Sequence, residues 1–442
     1  DGIRDKLVTG VQTCALPISG FDIDGAIYTL KYYAKAGAAL GDARLLRDGA
    51  VASLSRDGAF AGLHIATPLR GVAITINAFN FPAWGLWEKA AAALLSGVPV
   101  LAKPATATAW LAQRMVEDVV NAGVLPPGAL SIVCGPAGDL LEHVASGDVV
   151  VFTGGADTAA SVRAHPHVAR QFTRVNVEAD SVNVAILGPD VAADAPEAQS
   201  LVREVQVEMT LKAGQKCTAI RRVLVPRARY RDVVDAIGAR LAQVAVGNPR
   251  NPAVRMGPLA SRAQQRRVLD SLAALRGEAH VVFEGPPSYV DADPTAGAFV
   301  PITLLGCEHP SAAVAVHDVE AFGPVATVMP YDTFDEAVQL AARGGGSLVA
   351  SVYTADAAII QQAVEGLAPS HGRVNLVDAS VAKTATGHGN VMPQSLHGGP
   401  GRAGNGQELG GLRALRLYHQ LSVIQAPRAG LDLLAAAAAA AE

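Results

Sequence analysis

Cys217 lies in Gly214-Gln215-Lys216-Cys217-Thr218, between a run with helical period and a run rich in β-branched residues. A thiol among small and polar neighbours suits nucleophilic attack once it is a thiolate. Glu178, in Val177-Glu178-Ala179-Asp180-Ser181, follows the extended run 174–177. Its side chain is long enough to reach a water as general base, whereas Asp180 suits a cap or a turn. Asn80, in Asn77-Ala78-Phe79-Asn80-Phe81-Pro82, falls between a strand and a helix. There its amide, with the backbone N–H of Cys217, can stabilise an oxyanion. Each residue also has a plainer reading: a buried small side chain for Cys217, a solvated loop acid for Glu178, a turn-former for Asn80.

A second set suits a dinucleotide. Lys103, in Leu101-Ala102-Lys103-Pro104-Ala105-Thr106, ends a buried strand, where its ammonium can meet a ribose or a phosphate; a snorkelling lysine is the plainer reading. Phe152-Thr153-Gly154-Gly155 ends a strand and opens a helix, whose first N–H groups can receive a pyrophosphate. In Glu320-Ala321-Phe322-Gly323-Pro324 the acid can hold a ribose and Phe322 can line a pocket for a flat ring. Gly399-Pro400-Gly401-Arg402-Ala403-Gly404 fits G-x-G-x-x-G, but it joins no strand to a helix and no acid follows at the right distance, so it reads as loop.

The elements that must position these residues alternate. A helix is predicted over 21–40 and extended chain over 50–76. Strands at 72–76, 98–102, 130–133 and 149–152 are separated by helices at 84–95, 106–121, 139–144 and 156–164. That pattern predicts a parallel sheet covered on both faces, with ligands at the carboxyl ends of its strands. From residue 181 a second α/β region follows. It has helices at 196–213, 230–244, 262–275, 335–342 and 357–367, and strands at 219–225, 300–305, 325–329, 348–353 and 373–377. Residues 388–411 form a glycine-dense loop, and 412–425 end in an alternating stretch that suits a sheet edge.

A chain of 442 residues is too long for one core, so two or three domains are expected. The net charge of −4 comes from mixed signs, which gives no footprint for nucleic acid or a membrane surface. No apolar run reaches the roughly 18 residues of a membrane span outside the alanine tail. Cys14, Cys134, Cys217 and Cys307 lie far apart, with no C-x-x-C or H-E-x-x-H spacing. That argues against a zinc site or a disulfide framework and for a reducing cytoplasm. Residues 1–19 lack a clear period and read, with Cys14, as a leader foreign to the fold. The alanine-rich tail from 431 reads either as a helical end or as a truncation.

Taken together, in this order, the motifs resemble the aldehyde dehydrogenase superfamily from about Phe21 to Gln425. The resemblance implies an α/β aldehyde dehydrogenase fold, with a Rossmann-like cofactor domain, an α/β catalytic domain and small oligomerisation strands. It implies an NAD(P)-binding domain over 20–50 and 70–180, a catalytic domain over 181–400 and oligomerisation segments at 51–69 and 412–426. It also implies a homodimer or larger. By resemblance Cys217 is the nucleophile, Glu178 the general base and Asn80 the oxyanion donor. Lys103 and Glu320 hold riboses, with Thr106, Thr153, Gly154, Gly155 and Phe322 also in the cofactor site. Thr106 replaces the usual acid after the lysine, so a 2′-phosphate is not repelled and NADP is preferred, with NAD allowed. Gly155 and Ala159 depart from the usual Ser and Gly of the phosphate turn.

The wording of Lys103-Pro104-Ala105-Thr106-Ala107-Thr108-Ala109, of 214–222 and of Thr386-Gly387-His388-Gly389 is similar to the branch that oxidises semialdehydes carrying a coenzyme A thioester in aromatic acid degradation. Asn77 to Pro82 carries the same likeness. The alternatives are the dehydrogenase half of a bifunctional ring-opening enzyme, a broad-specificity aldehyde dehydrogenase, or a non-catalytic protein that keeps the fold.

Overall fold

The computed structural model describes residues 19–440. The leader and Cys14 lie outside the described residues except for Ser19, which opens the helix Ser19–Leu40. The chain divides into two compact units. Among the described residues, one gathers Asp22–Val177, Val391–His397 and the chain from Gln407 to 440; the other gathers Glu178–Asn390, Gly398–Gly406 and 19–21.

The first unit is built on five strands in the order Leu130–Ile132, Val100–Lys103, Ala73–Ile76, Val149–Thr153 and Arg174–Glu178. Those flanking Ala73–Ile76 run parallel to it. Val149, Val150, Val151 and Phe152 are all buried, the continuous apolar run of a strand covered on both faces. Register then fixes chemistry. Ile76 stands opposite Lys103 on one side and Phe152 on the other, so Asn77, Lys103 and Thr153 leave the sheet at one carboxyl edge.

The helix predicted at 139–144 is only a 3₁₀ turn, Leu140–His143, none of whose side chains is buried. Without an apolar face to pack, a short helix has little to hold it. The helix predicted at 156–164 ends at Arg163, and a second begins at Pro166.

The same unit carries a smaller sheet in the order His419–Pro427, Phe60–Pro68, Leu46–Ser53 and Ala439–Ala440. Ala61, Leu63 and Ile65 pack against Leu431 of the helix Arg428–Ala437, into which the alanine-rich tail folds. His419–Pro427 forms an edge of this sheet, and its Leu421, Val423 and Ile424 are exposed.

The second unit holds seven strands in the order His280–Glu284, Thr303–Gly306, Val325–Tyr331, Ile220–Pro226, Asn183–Leu187, Ser347–Tyr353 and His371–Val377. The first pair is antiparallel and the remaining pairs are parallel. His280–Glu284 is absent from the sequence-based expectation. It is a sheet edge whose short apolar run, Val281 to Phe283, has no polar–apolar alternation, and none of its positions is fully buried. The strand predicted from Val300 starts only at Thr303, beyond Pro301.

Arg222 is fully buried in this unit. It donates to the carbonyls of Val182 at 2.7 and 3.0 Å, of Leu340 at 2.8 Å and of Ala341 at 2.9 Å. The last two carbonyls belong to the end of the helix Phe334–Ala342, where a cation suits the helix dipole. Burial pushes the guanidinium down to about 9. Its Nη1 also faces His317 Nδ1 at 3.2 Å, so Nδ1 must accept and Nε2–H donates to Pro310 O at 2.9 Å.

His317 is therefore neutral, and burial, with Arg222 nearby, pushes its pKa from 6.5 down to about 4. Because the folded value lies below the unfolded one, this contribution is complete above pH 6.5 and is lost as pH falls toward 4. The expected loss is roughly 3 kcal/mol. Urea midpoints compared near neutrality and in mild acid should fall further for the wild type than for His317→Gln. Equal acid losses would remove His317 from the account.

Candidate active site

The helix Pro196–Thr210 ends in a sharp reversal. Lys212, Ala213 and Gly214 take φ of 55°, 52° and 70°, three successive left-handed residues. For Lys212 and Ala213 this costs on the order of 1–3 kcal/mol each. Only glycine fits at 214, since a Cβ there would meet Gly323 O at 2.1 Å. The strain is held by hydrogen bonds. Arg221 donates to Gly214 O at 2.8 Å, Lys216 O at 3.2 Å and Gly323 O at 2.8 Å. Asn183 Nδ2 donates to Cys217 O at 2.7 Å and Ala219 O at 3.0 Å. The buried Lys216 reaches Glu208 at 2.7 Å. The result is a half-buried Cys217 on an over-determined turn at the amino end of the strand Ile220–Pro226.

Glu178 is the last residue of Arg174–Glu178 and is buried. One of its carboxylate oxygens lies within 4.8 Å of Cys217 Sγ. The chain directly after it is held by the glycine-rich loop, since Ala179 N donates to Ala403 O at 3.0 Å. Asp180 stands 3.9 Å from Arg402. The segment from Glu320 to Pro324 is tied to the cysteine turn by Arg221, whose guanidinium also lies 5.6 Å from the Phe322 ring centroid. Glu320 Oε2 accepts from Ser181 N at 3.2 Å, while Oε1 is buried with no hydrogen-bond partner among the described residues. Burial pushes Glu320 up to about 7, against the pull of Arg221. Cys217, Glu178, Glu320 and Phe322 thus belong to one unit.

Asn80, Lys103, Thr106, Thr153, Gly154 and Gly155 belong to the other. Asn80 is half-buried at the bend between Ala73–Ile76 and the helix Trp84–Leu95. Lys103 is buried, donates to Pro104 O at 3.2 Å and is shifted down by desolvation. Thr106 is exposed and donates to Gly135 O at 3.3 Å. Thr153 Oγ1 is buried with no hydrogen-bond partner among the described residues, and both amide atoms of Asn77 share that condition. Gly155 caps the helix Ala156–Arg163 without a side-chain acceptor, and Asp157 lies in its first turn.

Several residues were not singled out from sequence. In the first unit Lys89 is fully buried between Glu88 and Glu408, the latter at 2.9 Å, and Asn176 Nδ2 donates to Glu408 at 3.2 Å. The available signal was an acid–lysine pair inside the alanine-rich run of Trp84–Leu95, where every neighbour is apolar. In the second unit Arg221 and Arg373 were missed. An arginine inside an otherwise apolar, buried strand was the cue for Arg221; Arg373, on the half-buried edge strand His371–Val377, offered no comparable cue.

Residues 12–424 match the Aldehyde dehydrogenase family, and the chain belongs to it. It is an NAD(P)-dependent oxidoreductase. Among its relatives, the 3,4-dehydroadipyl-CoA semialdehyde dehydrogenase of Aromatoleum evansii is 59% identical over 384 residues, 86% of this chain and 75% of the relative. The geranial dehydrogenase of Castellaniella defragrans is 32% identical over 289 residues, 65% of this chain and 57% of the relative. The P. syringae indole-3-acetaldehyde dehydrogenase, solved with NAD+ and IAA, is 26% identical with a TM-score of 0.77, covering 92% of this chain and 77% of that one. Among the described residues no helix is long and apolar enough to cross a membrane.

Proposed function

We propose that this chain oxidises a coenzyme A-linked semialdehyde of the 3,4-dehydroadipyl type to its carboxylate in aromatic acid degradation. Cys217 is the nucleophile and Glu178 the general base. The observation that carries this reading is the approach of a Glu178 carboxylate oxygen to within 4.8 Å of Cys217 Sγ, on a turn whose backbone is held from several sides. The relative at 59% identity supports the substrate class.

The residues fit a dinucleotide. Glu320 Oε1 and Thr153 Oγ1 are buried acceptors without partners among the described residues, as sites for hydroxyl donors would be. Lys103, Gly154, Gly155, Thr106 and Phe322 complete the set, and with no carboxylate at position 106 we assign NADP as the preferred cofactor. When bound, the nicotinamide supplies the hydride acceptor that converts the thiohemiacetal on Cys217 to a thioester. The chain's own residues do the rest. The Cys217 thiolate adds to the aldehyde carbon, while the Asn80 amide and the Cys217 N–H donate to the oxyanion. Glu178 removes a proton from water as that water adds to the thioester carbonyl, and the thiolate leaves. Because water is the acceptor, coenzyme A stays part of the substrate and is not consumed.

In this reading Asp22–Val177 supplies Lys103, Thr106, Thr153, Gly154 and Gly155 for the cofactor and Asn80 for the oxyanion, and Glu178–Asn390 supplies Cys217 and Glu178 with Glu320 and Phe322. The exposed apolar edge strand His419–Pro427 joins copies into a homodimer or larger assembly in a cytoplasmic setting. The test is NADP reduction with a coenzyme A-linked semialdehyde against the corresponding free semialdehyde. The linked substrate should be favoured at least about tenfold in kcat/KM, as expected for a site that recognises the acyl-thioester end. Equal rates would favour broad specificity, and no reduction with any aldehyde would overturn the enzymatic reading.

A further inference from the structure

We propose that Arg373 is a positioning residue that holds Cys217 as a thiolate near neutral pH, a role that rests on Cys217 being the nucleophile. Arg373 lies on the edge strand His371–Val377. Its Nη1 donates to Asn390 O at 2.6 Å. The preceding carbonyl, that of Gly389, accepts from Thr218 Oγ1 at 3.0 Å, and Thr218 follows Cys217 directly. Two successive loop carbonyls therefore link the guanidinium to the nucleophile's own turn.

The rest of the guanidinium is not used structurally. Nε and Nη2 are sealed from solvent with no hydrogen-bond partner among the described residues. The structural arginines of the same unit differ. Arg222 donates to Val182, Leu340 and Ala341, and Arg221 to Gly214, Lys216 and Gly323. A half-buried guanidinium whose Nε and Nη2 are sealed from solvent, and that gives one donor to a carbonyl, keeps much of its field for its neighbours. The anionic or ionisable groups in that field are Cys217, Glu208 and Glu178. Glu208 is already engaged by Lys216 at 2.7 Å. His388, also close by, is held neutral by burial and by the positive charge of Arg373 and Lys216. Glu208 Oε2 stays without a hydrogen-bond partner among the described residues, so Arg373 favours the anionic forms of the thiol, Glu178 and Glu208 together, with Arg221 and Lys216 as the other nearby cations. Glu178 is then free to act on water in the later step, because it need not take the thiol proton first.

The test uses the full chain without substrate or cofactor. The rate of Cys217 alkylation by iodoacetamide, read by peptide mass, is followed across pH in wild type, Arg373→Lys, Arg373→Gln and Arg373→Met. The two uncharged variants should shift the profile upward by about one unit or more, which lowers the rate near pH 7 roughly tenfold while the limiting rate at high pH is unchanged. Lysine should keep most of the wild-type position. Superimposable profiles in wild type and the uncharged variants would overturn the proposal, as would a lysine variant displaced as far as they are. If the methionine variant does not fold, the glutamine variant carries the same comparison. Alkylation of Cys217 without loss of NADP reduction would instead sink the nucleophile reading itself.

Discussion

Glu178→Gln should release about one reduced cofactor per chain and then stall. The substitution keeps the side chain's size in a buried position but removes its ability to accept a proton. Attack by Cys217 and oxidation of the adduct need no base at position 178 once the thiol is ionised. Hydrolysis of the thioester does, because water is a poor nucleophile until a proton is taken from it. The steady rate should fall by about 10²–10⁴-fold, which corresponds to roughly 3–5 kcal/mol in the hydrolytic barrier. Rapid-mixing absorbance of the reduced nicotinamide should show the burst, and intact mass should show the acyl group retained on the protein. Undiminished turnover in this variant would place the base elsewhere.

Cys217→Ala should remove the burst as well as the steady rate. Without sulfur no covalent adduct forms, and losses of about four orders of magnitude or more are typical when a nucleophile is deleted. The variant should still fold, because the turn is held through the backbone. Asn183 binds the carbonyls of residue 217 and Ala219, and Arg221 binds those of Gly214 and Lys216. A melting temperature close to wild type with no reduction of NAD or NADP is the expected pair of results. Substantial turnover with a folded Ala variant would exclude the thiol from the mechanism.

The parts of this arrangement that could be read from residue order are those with a strong local signature. Val149 to Phe152 is an unbroken apolar run, and it is a doubly covered strand. Arg262–Leu275 and Ala357–Leu367 have clean helical spacing and marked ends, and both occur as expected. The side chains of Glu178 and Cys217 come close although 38 intervening residues separate them, and that proximity was inferred from motif order rather than from any local rule.

What escaped the sequence depended on tertiary context. His280–Glu284 pairs on one side only and has exposed positions on both faces, so no alternation marks it. Lys89 is a charged residue whose burial depends on a partner far along the chain, Glu408, and the half-buried Arg373 is placed by a loop carbonyl, that of Asn390. The carboxyl-edge rule also has a limited reach. Lys103 and Thr153 obey it, but Cys217 precedes its strand, because a helix and a reversed turn bring it to the opposite end of the second sheet.

The left-handed reversal at 212–214 stores backbone strain next to Cys217, the proposed nucleophile. A more permissive residue at 213 would sit there more comfortably, and the protein would gain cohesion from the change. It would also let the backbone sample neighbouring conformations, so the aim of the sulfur would broaden. In the proposed mechanism Lys212 and Ala213 take no part in bond-making, and easing their strain is expected to add cohesion while loosening the aim of Cys217.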